Sequence, residues 1–327
     1  MEDVIEPELP ICDPHHHLWD FPTSRYLLPE LLADTGSGHR VESTVFVECT
    51  AFYRASGAED LRVVGETEFV GGAAAMAASG RYGAALACAG IVGRADLAMG
   101  ARVEAVLAAQ VAAGNGRFRG IRHASAWDAS EQINRSHTDP PEKLLAQPAF
   151  REGFAKLRDF GLSFDAWLYH PQIGELTDLA RAFPDQSIIL DHVGGPVGIG
   201  PYAGRREAVF TGWRQSIRDL ASCPNVVVKL GGLGMTLCGF GVHKLPAPAF
   251  SQTLAELWRP YIETCIEAFG PARCMFESNF PVDRPSCTYR VLWNAFKRIA
   301  EGASAAEKAL LFRDTARRVY RLDTAAA

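Results

Sequence analysis

Short runs that are apolar on both faces recur along the chain, and stretches with apolar residues at helical spacing separate them. The runs are Ile11 to His17, Thr44 to Thr50, Ala84 to Val92, Phe118 to His123, Leu162 to Tyr169, Ser187 to Asp191, Asn225 to Leu230 and Cys274 to Asn279. Strands that are apolar on both faces belong to a parallel sheet buried between helices. The helical patterns cover about residues 58–79, 94–113, 142–160, 174–183, 205–221 and 251–269. Two further helices close the chain, the last announced by a capping box at Ser304 and Glu307. The repeat is very roughly 35 to 40 residues, and eight strand–helix units are what a (β/α)8 TIM barrel requires. The expected architecture is therefore α/β, one barrel domain over residues 1–327. The βα loops after the fourth, sixth and seventh strands are long enough to act as partial lids. A doubly wound open sheet is the structural alternative, but no glycine fingerprint of a dinucleotide or phosphate site follows any strand.

Composition narrows the classes without choosing among enzymes. The 327 residues are 48% apolar and 22% charged, with a formal net charge of -5. Acids and bases are spread along the chain, so neither a nucleic-acid footprint nor a membrane span is expected. The acidic start MEDVIEPELP lacks the basic and apolar regions of a signal peptide. The eight cysteines show no Cys-x-x-Cys spacing, and several lie in apolar runs, so buried reduced thiols are expected. Together these features point to a cytoplasmic protein. Trp213, Trp258 and Trp293 on helices are open to a core or an interface role, which leaves a homo-oligomer possible.

Active sites of barrels lie at the carboxyl ends of the strands, and the polar residues of the runs collect there. His15 and His17 end the first strand and share a face by alternation, a metal-ligand spacing. Glu48 ends the second strand, Arg122 and His123 the fourth, His170 the fifth and His192 the sixth. Lys229 ends the seventh, and Glu277 and Asn279 the eighth. Arg122 at a barrel mouth offers a bidentate grip on a carboxylate, with a rim ion pair as the alternative. Lys229 follows three valines, where an unpaired ammonium is expensive, so a functional role or a salt bridge inside the barrel is expected. His39, His137 and His243 fall in loops and are expected at the surface.

The ordered set DPHHHLWD (13–20), LYHPQ (168–172), LDHVGGP (190–196) and MFESNFPVD (275–283) resembles the amidohydrolase superfamily. Within it the chain is similar to the branch that includes dicarboxylate-pyrone and sugar-acid lactonases. The resemblance covers nearly the whole chain. It implies a barrel that hydrolyses ester, amide or lactone bonds, usually with one divalent ion, zinc or manganese, although some lactonases of the branch work without metal. It also implies His15, His17 and His170 as metal ligands and His192 as the residue that meets substrate or the attacking water. Where the family has Gly-Ser-Asp at the end of strand eight, this chain has Glu277-Ser278-Asn279. An asparagine takes no proton from water. Glu277, on the same face and one layer deeper, is the expected substitute base, with Asp283 and Glu48 as alternatives.

The expected reaction is hydrolysis of a small carboxylated lactone. His192 and Lys229 would donate to the oxyanion, and Arg122, Glu48 and His123 would bind substrate. A non-oxidative decarboxylase of an aromatic or dienoic acid is the alternative within enzymes. A catalytically silent barrel that binds a small acid, a reading that Asn279 favours, is the alternative outside them.

Overall fold

The computed structural model describes residues 2–322. Eight parallel strands follow one another around a barrel: β1 (Ile11–His16), β2 (Val41–Val47), β3 (Leu86–Gly93), β4 (Phe118–Arg122), β5 (Ser163–Ala166), β6 (Ile188–Leu190), β7 (Val226–Leu230) and β8 (Cys274–Phe276). Each pairs with the next in sequence. The expected (β/α)8 barrel is thus the fold. Its seam is irregular. Instead of a full ladder, β1 meets the segment after β8 through a bridge of His16 and Phe280. Asn279 N donates to His15 O at 2.9 Å, and His17 N donates to Phe280 O at 2.8 Å. This seam lays the histidine strand directly against Glu277 and Asn279.

The core has two compartments set by strand parity. Residues facing outward, such as Val226, Val228 and Leu230 of β7, pack under the helices. Trp213, Trp258 and Trp293 lie in that layer, each fully buried, so all three belong to the core. Residues facing inward, including Cys12, Val45, Val92, Ile189, Val227 and Met275, fill the barrel. Ala316, Val319 and Tyr320 from the last helical segment close the amino-terminal end of the barrel.

Helices fall where their periodicity places them, with instructive interruptions. The run at 251–269 is one helix, Ser251–Phe269. The expected helix at 94–113 begins as 3-10 turns over Leu97–Val103, because Gly100 takes φ +61 and breaks the α-helical path; the α-helix proper is Glu104–Ala113. The expected helix at 142–160 is split by Pro148, which opens Pro148–Ala155 at its first turn, where a missing N–H costs nothing. Strand five is shorter than its apolar run, because after Ala166 the chain leaves the sheet and Trp167 O accepts from Ser125 N. The cysteines are all free thiols, buried except for the half-buried Cys49.

Candidate active site

The mouth of the barrel gathers titratable side chains from seven of the eight strands, and their partners explain how burial is tolerated. Lys229 points inward from β7, fully buried. Its Nζ donates to Asp165 Oδ2 at 2.7 Å and lies 3.0 Å from Asp191 Oδ1 and 3.1 Å from His15 Nδ1. Tyr320, reaching up from the closed end, donates its hydroxyl to the same Asp165 oxygen at 2.6 Å. Burial alone would lower the Lys229 ammonium, but Asp165 and Asp191 outweigh it and raise it above its ordinary range. Burial pushes the Asp165 carboxyl up to about 6 despite Lys229. Burial also works against Asp191, yet Lys229, His192 and Arg122 hold it below the usual carboxylate range.

A second pair sits above the first. Arg122 Nε donates to Glu48 Oε1 at 2.7 Å, and its Nη2 donates to the Glu48 main-chain oxygen. The remaining nitrogen, Nη1, lies 3.4 Å from His15 Nε2 and 3.7 Å from Asp191 Oδ2. The guanidinium is therefore fully engaged by the protein itself. His137, from the long loop after β4, places Nε2 3.0 and 3.1 Å from the two Glu48 oxygens. Burial raises the Glu48 carboxyl, but Arg122 and His137 outweigh burial and hold it well below the usual range.

The third arrangement is a carboxylate between two imidazoles. Glu277 Oε1 accepts from His192 Nδ1 at 2.6 Å and from His192 N at 3.1 Å, while Oε2 lies 2.8 Å from His15 Nδ1. A carboxylate oxygen only accepts, so Nδ1 of His192 carries the proton and Nε2 is left bare. His17 is fixed in the same tautomer, its Nδ1 donating to Val47 O at 2.8 Å. Burial, followed by Lys229 for His15 and Arg122 for His17, holds both imidazoles far below their ordinary pKa, hence neutral.

The backbone that presents His192 is strained. His192 and Val193 take φ +55 and +48, a conformation that is an outlier for a β-branched residue and tends to occur at functional sites. Trp213 Nε1 donates to Val193 O at 2.7 Å from the helix beneath and holds the turn. Glycines let the loop after β7 close over this pair: a Cβ on Gly232 would meet His192 Cγ at 2.5 Å, and one on Gly231 would meet Glu277 Cγ at 2.5 Å.

A cavity of about 260 Å³ opens above these groups. His17, Arg122, His137, His192 and Asn279 line its polar side, and Trp19, Phe21, Trp167, Met235 and Val282 its apolar side. Asn279 also takes a left-handed backbone, φ +53, and donates Nδ2 to Asp283 Oδ1 at 2.8 Å. Asp283 lies buried behind it, where burial pushes its carboxyl up to about 7.

Of the residues expected at the site, the structure brings together His15, His17, Glu48, Arg122, His192, Lys229, Glu277 and Asn279, with Asp283 behind them. It does not bring in His170 or His123. His170 lies four residues past the end of β5, at the start of a helix, where its Nδ1 accepts from Val197 N at 3.2 Å and its ring packs on Tyr202. His123 turns outward, its Nδ1 accepting from Leu97 N at 3.2 Å and its ring lying on Phe150. Two loop histidines depart from a simple surface role, His137 although it is exposed as expected. His137 lines the cavity, and His39 is buried with Nδ1 2.9 Å from Lys297 Nζ. Sequence reading passed over Asp165, Asp191 and Tyr320. Asp165 and Asp191 were legible by parity, as the inward neighbours of Ser163 and Ile189 on apolar strands; Tyr320 carried no local signal.

The donor set suits a divalent cation. Four carboxyls (Glu48, Asp165, Asp191, Glu277) face two fixed cations, Arg122 and Lys229. Both oxygens of Asp191, Oε2 of Glu277 and Oδ1 of Asp165 are buried without a directed hydrogen bond among the described residues. His15, His192 and Glu277 each present a ligand atom, all within 4.8 Å of one another.

A profile of the family described as "Amidohydrolase" matches residues 12–322. A protein of Sinorhizobium fredii, "Uncharacterized protein y4mH", is 34% identical over 96% of this chain and 99% of its own length. An "L-fucono-1,5-lactonase" of Burkholderia multivorans is 29% identical over 66% of this chain and 67% of its own. A crystal structure of an amidohydrolase from Burkholderia multivorans with bound zinc superposes with a TM-score of 0.70 at 24% identity, covering 95% of this chain and 99% of that one.

Proposed function

The chain belongs to the amidohydrolase family, and from that premise we propose that it opens a small lactone by hydrolysis of the ring ester bond. The observation that carries the reading is the buried Glu277–His192 pair, its imidazole lining the cavity. The lactonase name of the Burkholderia multivorans relative supports the same choice of bond. The cavity is smaller than the roughly 300 to 1,000 Å³ of drug-sized sites, which suits a small metabolite.

In this mechanism the bare Nε2 of His192 takes a proton from water while Glu277 holds Nδ1–H and stabilises the imidazolium that forms. The oxygen of that water attacks the lactone carbonyl carbon. The second amide hydrogen of Asn279 would face the oxyanion, the kind of contact whose loss typically costs about 100- to 1,000-fold in rate. Collapse breaks the ring C–O bond, and His192 returns its proton to the leaving alkoxide, giving a hydroxy acid. Lys229 holds Asp165, Asp191 and His15 in register beneath the reacting groups. A divalent ion, with zinc favoured by its nitrogen and carboxylate donors, would be held by His15, His192 and Glu277. When bound it would polarise the carbonyl and acidify water. An ion on Nδ1 of His192 and the proton of that nitrogen would exclude each other, because the nitrogen has a single lone pair in the ring plane.

The test is hydrolysis of a panel of five- and six-membered lactones followed by product analysis. Formation of the hydroxy acid without gas supports the lactonase reading. Release of carbon dioxide from an aromatic or dienoic acid means a decarboxylase instead, and saturable binding of acids with no turnover of either class means a silent barrel.

A further inference from the structure

The outward half of the cavity is built from rings. His17, Trp19 and Phe21 alternate along the chain, and Trp19–Phe21 forms one strand of a small ribbon with Ser24–Tyr26. The rings of His17 and Trp19 stack with centroids 5.7 Å apart and 19° between planes, and those of Trp19 and Phe21 with 5.6 Å and 25°. These separations are those of offset stacks. The polar edge of Trp19 is satisfied, since Nε1 donates to Ser24 Oγ at 3.0 Å, so the indole offers the cavity an apolar face. Phe21 ends the column at the rim with 40% of its surface exposed, a large apolar side chain left in water beside a catalytic cavity. Trp167, Met235 and Val282 line the same cavity.

Each polar group of the wall already has a partner within the protein. Arg122 is held by Glu48, Thr50 Oγ1 donates to Cys49 O at 2.6 Å, Asn279 Nδ2 donates to Asp283, and one nitrogen each of His17, His137 and His192 is engaged. Arg122 is the one fixed cation among the residues lining the cavity. A carboxylated substrate would have to displace Glu48 from it, and a polyhydroxylated one would find few free partners for its hydroxyls, the situation that makes polar groups costly to bury.

We propose that the His17–Trp19–Phe21 column is a subsite for a flat apolar group, so that the substrate is a neutral lactone carrying an aryl or comparable hydrophobic substituent. The inference rests on the lactone reading above and names the substrate class for that site. Its occupant is small, because the cavity holds one ring beside the lactone and little more.

The experiment compares kcat/KM of the full chain for δ-valerolactone and for the same lactone bearing a phenyl group on the ring carbon next to oxygen. The ring is then the same, and dividing each value by the rate of alkaline hydrolysis of that lactone removes the difference between a primary and a secondary benzylic leaving group. The phenyl lactone is expected to be favoured on the order of tenfold to a hundredfold, as burial of an aromatic ring implies. Phe21→Ala and Trp19→Ala are each expected to bring that ratio several-fold toward one. Equal values for the two lactones, a ratio unmoved by both variants, or a sugar lactone turned over faster than the phenyl lactone overturns the inference while leaving lactone hydrolysis intact. If no lactone is hydrolysed, the reaction reading has failed, and calorimetric binding of the ring-opened hydroxy acids with and without phenyl decides the subsite separately. Tighter binding of the phenyl acid that is weakened in Phe21→Ala upholds it; equal or absent binding overturns it.

Discussion

Glu277 Oε1 and His192 Nδ1 meet at 2.6 Å, both side chains buried, on strands that lie on opposite sides of β7. One carboxylate thereby sets the tautomer of an imidazole that lines the cavity, the arrangement on which the proposed mechanism rests.

Glu277→Gln is therefore expected to lower kcat by roughly a thousandfold, since an amide fixes the wrong tautomer or none. His192→Ala should cost a similar factor, and the double variant little more, because the two act as one unit. Steady-state kinetics of the three variants checks this, and additive losses would separate the pair.

Lys229→Met tests the layer beneath. Removing one partner of a buried ionic cluster leaves Asp165 and Asp191 uncompensated, which costs on the order of 3–5 kcal/mol. Urea unfolding should show that loss, and Asp165→Asn added to Lys229→Met should recover part of it by removing one stranded charge. A Lys229→Met chain as stable as the wild type would mean the ammonium is not what holds the carboxylates.

The fold was legible because it depends on periodicity. Runs such as Asn225–Leu230 and helices such as 251–269 carry their own signal, and most strand-end residues follow once the barrel is assumed. The site was legible only where chemistry coincided with a strand end. His170 satisfied the spacing but not the geometry, because β5 stops at Ala166 and the following turn carries the imidazole out of the cluster. Asp165 sits inside an apolar run, and its meaning appears only when Lys229 faces it from two strands away. His137 and Tyr320 belong to the site through long-range packing, 89 residues from Glu48 and 155 from Asp165 respectively, a distance over which sequence pattern carries no information.

Glu66 gives a pH-dependent prediction outside the catalytic groups. It is buried, its Oε1 accepts from Ala51 N at 2.8 Å and Cys49 N at 3.1 Å, and Oε2 has no hydrogen-bond partner among the described residues. Burial, reinforced by the Glu48 charge, pushes its carboxyl from 4.5 up to about 8. A raised folded pKa means the folded state binds more protons, so this contribution to stability is complete below pH 4.5 and is lost as pH rises toward and through about 8. Glu66→Gln, which mimics the protonated acid, should match the wild type near pH 5 and exceed its Tm near pH 9. Parallel Tm profiles for the two proteins would remove Glu66 from the alkaline loss.

Metal uptake has a signature separate from activity. Binding through Nδ1 of His192, beside His15 and Glu277, would move the proton of that nitrogen to Nε2 of the same ring. Titration of the metal-depleted protein with zinc should show about one ion per chain and no net release of a proton, read as an apparent enthalpy independent of buffer ionisation. His15→Ala should weaken binding by roughly 10- to 100-fold or more, as loss of a ligand or its immediate support does. Uptake unweakened in His15→Ala would place the ion elsewhere.

His137→Ala separates substrate retention from chemistry. Its loop is anchored without it: Thr138 Oγ1 donates to Ala124 O at 2.6 Å, Ser136 N to Ala126 O at 3.0 Å, and Tyr169 Oη to Asn134 O. The side chain is 30% exposed, lines the cavity and touches the barrel charges only through Glu48, which keeps Arg122. Truncation should therefore open one wall without moving the Glu277–His192 pair. KM is expected to rise on the order of tenfold while kcat stays within about twofold, the pattern of an interaction made equally in ground and transition states. A fall in kcat at unchanged KM would instead put His137 in contact with the reacting atoms, and the base assigned to His192 would have to be reconsidered.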